Sequence, residues 1–348
     1  MRRSLGALLV AAALVVAACG GGKQEAADPP LQEPATSSTT STSEPPTTTS
    51  TTEAPTTTTA APTTTIPPPS PLAGSSAKAI LTATGVTVPV VGREGDALLV
   101  GTPCGRSTPL RQGTPIDGLV VLDPGHGGVE PGAVGPGGLQ ERHLNLAVTN
   151  FARAHLEAND VGVVLTRNGD YRITLASRAK IVKAIKPKAF VSIHFNAEPD
   201  GPRSGPGAET YYQTKGTSSA ESKRLAGLIY EEVVKALAGF EGVEWVADTD
   251  AGAKYRTSSS GDDYYGIIRQ TQGTPGVLAE LGFIVNPTEE ALYSRQDGQK
   301  AAGEGVANGI LRFLRTSDPG SGFTEPYPRE VPAGGGGGAD NCQDPAIG

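Results

Sequence analysis

The 348-residue chain holds only four histidines. Two of them, His126 and His194, each close a short apolar run: Leu119-Val120-Val121-Leu122 leads into Asp123-Pro124-Gly125-His126, and Ala189-Phe190-Val191-Ser192-Ile193 leads into His194. Such runs read as buried strands. Asp-Pro-Gly then turns the chain tightly just past the first. Glu141 lies between the two histidines in sequence, at the head of a helical pattern. Two imidazoles and one carboxylate, with a fourth position open, form the donor set of a catalytic zinc site. The nitrogen donors suit zinc better than magnesium or calcium, which prefer all-oxygen cages. Each residue alone also has an ordinary explanation. A histidine in a Gly-rich turn can cap main-chain groups, a strand-ending histidine can be a rim residue, and a glutamate at a helix start is favoured by the helix dipole without any metal. What favours a metal is that parallel strands carry both histidines to one sheet edge, where ligands of open α/β sheets gather. His143 competes with Glu141 as a ligand from two residues away. His155, about 20° around the helix from Leu144 at 100° per residue, is expected at the edge of the core.

Glu280 interrupts the apolar stretch Val277-Leu278-Ala279-Glu280-Leu281-Gly282-Phe283. A carboxylate in a buried strand is costly unless it is paired or functional. Burial raises its proton affinity toward the range a general base needs. The alternative is a buried ion pair with Arg167, Arg178 or Arg269.

The elements that must position these groups alternate between strand and helix. After the strand at 119–122, apolar residues at helical spacing (Leu144, Val148, Phe151) mark a helix over about 142–158. A strand at 161–166 follows, then a helix marked by Leu175, Ala179, Val182 and Ile185 and stopped by Pro187, then a strand at 188–193. Two successive β-helix-β crossovers imply parallel strands with right-handed connections. Further on we expect a strand at 208–213, an amphipathic helix at 218–238 and a strand near 242–247. After them come a polar loop at 248–262, an apolar segment at 264–269, a last strand at 276–281 and a closing helix through Val306, Ile310 and Phe313. The fold class is therefore α/β, a mainly parallel twisted sheet with helices on both faces. A small β-hairpin extension precedes it. There, 86–91 and 97–100 flank a five-residue Gly-containing loop, and Pro89 points to an edge strand.

At this point the residues resemble a known family. Leu122-Asp123-Pro124-Gly125-His126-Gly127-Gly128 is similar to the opening motif of the zinc-dependent N-acetylmuramoyl-L-alanine amidases of the amidase-3 type. Pro131-Gly132-Ala133, Gly138-Leu139-Gln140-Glu141 and Asn145-Leu146 continue the pattern. Leu165-Thr166-Arg167, Asp170, Leu175 and Arg178 fit its next stretch. Ser192-Ile193-His194-Phe195-Asn196-Ala197 resembles the second histidine motif. Gly276 to Pro287, followed by Glu289, resembles the last. The resemblance covers about 118–315. It implies zinc held by His126, Glu141 and His194, Glu280 as catalytic carboxylate, and hydrolysis of the amide between N-acetylmuramic acid and L-alanine in peptidoglycan. Phe195 stands where a small residue is more usual, so access beside His194 is expected to differ. Self-inhibited members carry a helical insertion over the site. Here only about 24 residues, rich in Gly and Pro, separate His194 from the next helix, which implies an open site. Two other readings remain: a zinc peptidase cutting within peptidoglycan stem peptides, and a lipoprotein that binds cell wall without cutting it.

Outside the resemblance, the ends of the chain carry their own signals. Arg2 and Arg3 precede an apolar run that ends in Val16-Ala17-Ala18-Cys19-Gly20. The run is too short to span a membrane and reads as a secretory signal over 1–22. It resembles a bacterial lipobox with Cys19 as the lipidated residue, which implies a membrane-anchored protein on the outer face of the cell membrane. Residues 23–77 are a Thr/Pro-rich stretch expected to be a disordered stalk. A β-rich lead-in at 78–117, a catalytic domain at 118–315 and a flexible Gly/Pro-rich tail at 316–348 complete the expected organisation. A net charge of −7 offers no electrostatic case for nucleic acid. Peptidoglycan and, through the lipid, a membrane are the expected partners of a monomer. With Cys19 lipidated, Cys104 and Cys342 are the remaining thiols, and outside the cell they can pair.

Overall fold

A computed structural model of the chain describes residues 67–197, 207–241, 251–325 and 341–348. Its first part is an antiparallel sheet of six strands: β1 (Ser70–Pro71), β2 (Ala79–Leu81), β3 (Thr87–Glu94), β4 (Ala97–Gly101), β5 (Ser107–Leu110) and β6 (Gln112–Ile116), in the order β1-β6-β2-β3-β4-β5. Leu72, Ile80, Val86, Val88, Leu98, Val100 and Leu110 form its core. The expected hairpin is thus one part of a larger sheet, because the flanking segments supply enough apolar side chains to cover one face. Its turn also shortens, with β3 continuing to Glu94 and left-handed Gly95 (φ 58°) reversing the chain. The expected boundary of the stalk at 77 moves as well, since β1 and the fully buried Leu72 belong to this sheet. Pro89 lies on an interior strand, not an edge. Val90 N–H donates to Lys78 O on the β2 side, and the registered β3–β4 pairs run only from Val90 to Glu94. The missing N–H therefore falls beyond the end of the β3–β4 ladder.

The second part is the α/β layer structure expected from the alternation of patterns. Its elements are β7 (Val120–Pro124), α1 (Glu141–Glu157), β8 (Val163–Leu165), α2 (Leu175–Ile185), β9 (Ala189–Asn196), β10 (Glu209–Tyr212), α3 (Ser219–Leu237), β11 (Gly252–Lys254), α4 (Gly266–Gln270), β12 (Gly276–Phe283), α5 (Pro287–Tyr293) and α6 (Gln296–Arg315). The sheet order is β11-β10-β12-β9-β7-β8. Strands β12, β9, β7 and β8 are parallel. β10 runs antiparallel to β12 and parallel to β11. Val120, Leu122, Ile193, Phe195, Ala279 and Leu281 pack one face against α1, α3 and α6. Val121, Phe190 and Leu278 pack the other against α2 and α4. Thr174 caps α2 by accepting from Ser177 N–H (3.2 Å), and α2 ends at Lys186, left-handed at φ 54°, one residue before Pro187.

One expectation along this part changes. β11 lies inside the stretch expected to be a polar loop, because Gly252, Ala253 and Lys254 find an open edge on β10. The apolar segment near 264–269, given no element type from sequence, is the short helix α4. The expected strand near 242–247 lies outside the described residues. The tail is tied down where it is described: Asp318 pairs with Arg312, Phe323 bridges to Ala253, and Cys342 forms a disulfide with Cys104.

Candidate active site

Alternation along β9 decides which way each residue of the second histidine motif points. Ile193 and Phe195 enter the α1/α3/α6 core, and His194 faces the other way. Phe195 packs edge-on against Tyr293 (centroids 4.5 Å apart), so its bulk is in the core and not beside the site. His126 follows the end of β7 in a left-handed conformation (φ 58°) that few side chains adopt. It is held there by its surroundings. Arg167, fully buried, donates to Pro124 O (3.0 Å), Gly125 O (2.7 Å) and Arg142 O (2.7 Å). Arg178 donates to Pro124 O (2.7 Å) and His126 O (2.7 Å) and pairs with buried Asp123. Burial pushes the Asp123 carboxyl up, but Arg178 and the hydroxyls of Ser192 and Thr166 outweigh it and hold the group below its ordinary range. The carbonyls of Pro124, Gly125 and His126 thereby gain fixed partners.

Glu141 is the first residue of α1, and its buried carboxylate is the hub of the site. Oε2 lies 3.1 Å from His126 Nε2 and accepts from Ala133 N–H (2.7 Å). Oε1 lies 3.0 Å from His194 Nδ1 and accepts from Asn145 Nδ2 (3.1 Å) and Phe195 N–H (3.2 Å). The two imidazole rings stand edge-on with centroids 5.0 Å apart. Burial alone would push the Glu141 carboxyl up, yet the two imidazoles facing it hold it well below the usual carboxylate range. Burial moves His194 the other way, favouring the neutral imidazole that ligates metals. One donor atom from each of His126, Glu141 and His194 lies within 4.8 Å of the others. Tetrahedral ligands at 2.0–2.1 Å from one ion stand about 3.3 Å apart, and each imidazole nitrogen lies about that far from a Glu141 oxygen, at 3.1 and 3.0 Å. The packing leaves no slack: a Cβ on Gly125 would lie 2.2 Å from the His194 ring, and one on Gly132 would lie 2.3 Å from Glu141 Oε2.

Glu280 is nine-tenths buried on β12, in register with His194 on β9 and with Glu209 on β10. In-register neighbours on adjacent strands share a face, so Glu280 lies on the same side of the sheet as His194. The three arginines weighed as its counter-ions make bonds elsewhere: Arg178 to Asp123, Arg167 to main-chain carbonyls, and Arg269 to the carbonyls of Asp263 and Tyr264. His143 does not join the cluster; it reaches Asp170 Oδ2 at 3.2 Å on the exposed side of α1. His155 lies between α1 and α6, 2.9 Å from Asn308, at the core edge where it was expected. The expectation of no covering helix concerns a segment of which 198–206 lies outside the described residues. The supporting residues Asp123, Asn145, Arg167 and Arg178 were not assigned these roles from sequence. A buried acid ending an apolar strand was the available signal for Asp123.

With this geometry in hand, comparison with known proteins decides the family. The pattern that defines the amidase-3 family, described as N-acetylmuramoyl-L-alanine amidase, matches residues 120–312. The chain belongs to that family. Its reaction is the hydrolysis of the peptidoglycan amide bond for which these amidases are named. Among amidase relatives, it is 30% identical over 222 residues to the N-acetylmuramoyl-L-alanine amidase AmiC of Neisseria meningitidis, covering 57% of this chain and 53% of AmiC. It is 36% identical over 197 residues to the uncharacterized protein YqiI of Bacillus subtilis, covering 56% of this chain and 85% of YqiI. Among solved structures, Cwp6 from Clostridium difficile superposes with a TM-score of 0.50 at 31% identity, over 57% of this chain and 30% of Cwp6. The amidase match leaves the β1–β6 sheet and the C-terminal segment outside it.

Proposed function

We propose that the chain is a zinc-dependent amidase that cleaves between N-acetylmuramic acid and L-alanine on the outer side of a cell membrane, anchored there through Cys19. The observation that carries this reading is the convergence of His126, Glu141 and His194, with Glu280 one strand away on the same face of the sheet. Zinc held by these three residues would polarise the scissile carbonyl and acidify a water at neutral pH. The chain's own groups supply the rest. Glu280 takes the proton from the attacking water and delivers it to the departing L-alanine nitrogen, which an amine leaving group requires. Glu141 stays ionised beside both imidazoles. Asn145 and the Phe195 N–H hold its Oε1 in place. Arg167 and Arg178 keep the His126 turn from relaxing out of its left-handed conformation.

The Thr/Pro-rich stretch after Cys19 gives an anchored enzyme reach toward the wall, and we assign the monomer as the working form. Among the described residues no helix is long and apolar enough to cross a membrane. The test is metal analysis together with product identification on purified muropeptides, with and without chelator. The amidase reading expects about one zinc per chain and chelator-sensitive release of intact stem peptides with a free L-alanine amine. Cleavage inside the stem would replace it with the peptidase. Zinc without cleavage would favour a wall-binding lipoprotein. A chain that takes up no zinc would overturn the metal assignment.

A further inference from the structure

The β1–β6 sheet and the C-terminal segment lie outside the amidase match, yet they are built into the support of His126. The loop that carries this histidine is gripped from one side by residues 168–172. Gly128 N–H donates to Asp170 Oδ1 (2.8 Å), and Arg172 pairs with Glu130 (2.9 Å). A Cβ on Gly127 would stand 2.3 Å from Tyr171 O, so the two main chains are in direct contact. That gripping segment is in turn held by the antiparallel sheet. The Tyr171 ring packs on the sheet's core. Asn168 Nδ2 donates to Gly85 O, Thr174 N–H to Pro103 O (3.0 Å) and Ser177 Oγ to Thr102 O (3.1 Å). The residue after Pro103 is Cys104, which is disulfide-bonded to Cys342 and donates its N–H to Asp344 Oδ1 (2.7 Å). Arg106 pairs with the same Asp344, and Ile347 joins the sheet's core.

We propose that the sheet, closed by the C-terminal segment through Cys104–Cys342, is a positioning module for the metal turn, with Tyr171 as the residue that transmits its support to His126. This rests on the zinc reading of the site. Tyr171 and the cysteines touch no substrate; they act through the backbone of 127–130. A metal site depends on how rigidly its ligands are presented, and loss of a supporting partner typically weakens metal binding 10–100-fold.

The experiment measures zinc affinity of the full chain by chelator competition, at a temperature well below the unfolding midpoint of every variant. Tyr171→Ala is expected to raise the zinc dissociation constant by about 10–100-fold. Tyr171→Phe keeps the ring and the main-chain contact, and is expected to bind zinc like the parent. The pair Cys104→Ser and Cys342→Ser is expected to weaken binding in the same direction. It carries the test if Tyr171→Ala does not fold. A role confined to global stability would lower the unfolding midpoint and leave zinc affinity unchanged, and that result would overturn the inference. A parent chain that binds no zinc would remove both this inference and the zinc reading. A parent that binds zinc, with variants that bind it equally well, would remove this inference alone.

Discussion

Gly125 and Gly132 lack side chains because the space at each is already taken, by the His194 ring and by the Glu141 carboxylate. The same economy applies to the charged groups, each of which has a separate task. With Glu280 as the proposed proton carrier, Glu280→Gln is expected to keep zinc and the fold while lowering kcat by about 10²–10⁴-fold. Steady-state kinetics beside metal analysis checks this, and loss of zinc or of the fold would mark the residue as structural. Asp123 is a support. Its folded carboxyl titrates below the ordinary value, because Arg178 and two hydroxyls outweigh the effect of burial. The stabilisation is therefore complete above the unfolded value of about 3.9 and is lost as pH falls through the lower folded value. Asp123→Asn is expected to flatten that acid limb in urea titrations at several pH values. At neutral pH it would cost about 3–5 kcal/mol, since Arg178 would be left buried without its counter-charge.

Among the elements, α6 shows how packing overrides intrinsic preference. It carries Gly303, Gly305 and Gly309 on faces that press against α1 and α3; added Cβ atoms would stand 2.6 Å from Val148 O, 2.9 Å from Val233 Cα and 2.5 Å from Ile229 Cα. An isolated helix would gain up to about 1 kcal/mol from Gly→Ala. Here Gly309→Ala is expected to destabilise the protein by about 1–3 kcal/mol, because the helices cannot separate without opening the core they share. Thermal unfolding of that single variant decides the sign. The close approach matters for function because α1, clamped by α6, is the helix whose first residue is Glu141.

For the whole molecule, the Cys104–Cys342 disulfide joins residues 238 apart in sequence and draws the end of the chain onto the antiparallel sheet. Closing so long a loop restricts the unfolded chain, and its loss is expected to cost about 2–5 kcal/mol. Denaturant titration of the double serine variant measures this directly. The disulfide suits an oxidising location, in keeping with the proposed anchorage at Cys19. Cys19→Ala is expected to move the protein from the membrane fraction to the soluble fraction after cell lysis without changing muropeptide cleavage by the released protein.

What the sequence determined by itself was local and periodic. The apolar runs before His126 and His194, the helical spacing after Glu141 and the lone carboxylate in the last strand were all legible, because alternation and helical periodicity are set by neighbours in the chain. With them came the fold class and the residues to suspect. The tertiary structure decided the matters that depend on long-range partners. It separated Glu141 from His143, since only Glu141 lies between the two imidazoles. It turned Phe195 into the core, gave Arg167 and Arg178 to the His126 turn, and found a strand at Gly252–Lys254 because β10 had an open edge. It also placed Tyr171 between the antiparallel sheet, of which only a hairpin was expected, and the loop that carries His126. Pairing of strand edges, the destination of a buried charge and contact between segments remote in sequence are settled only when the chain closes on itself, and no periodicity within one segment encodes them.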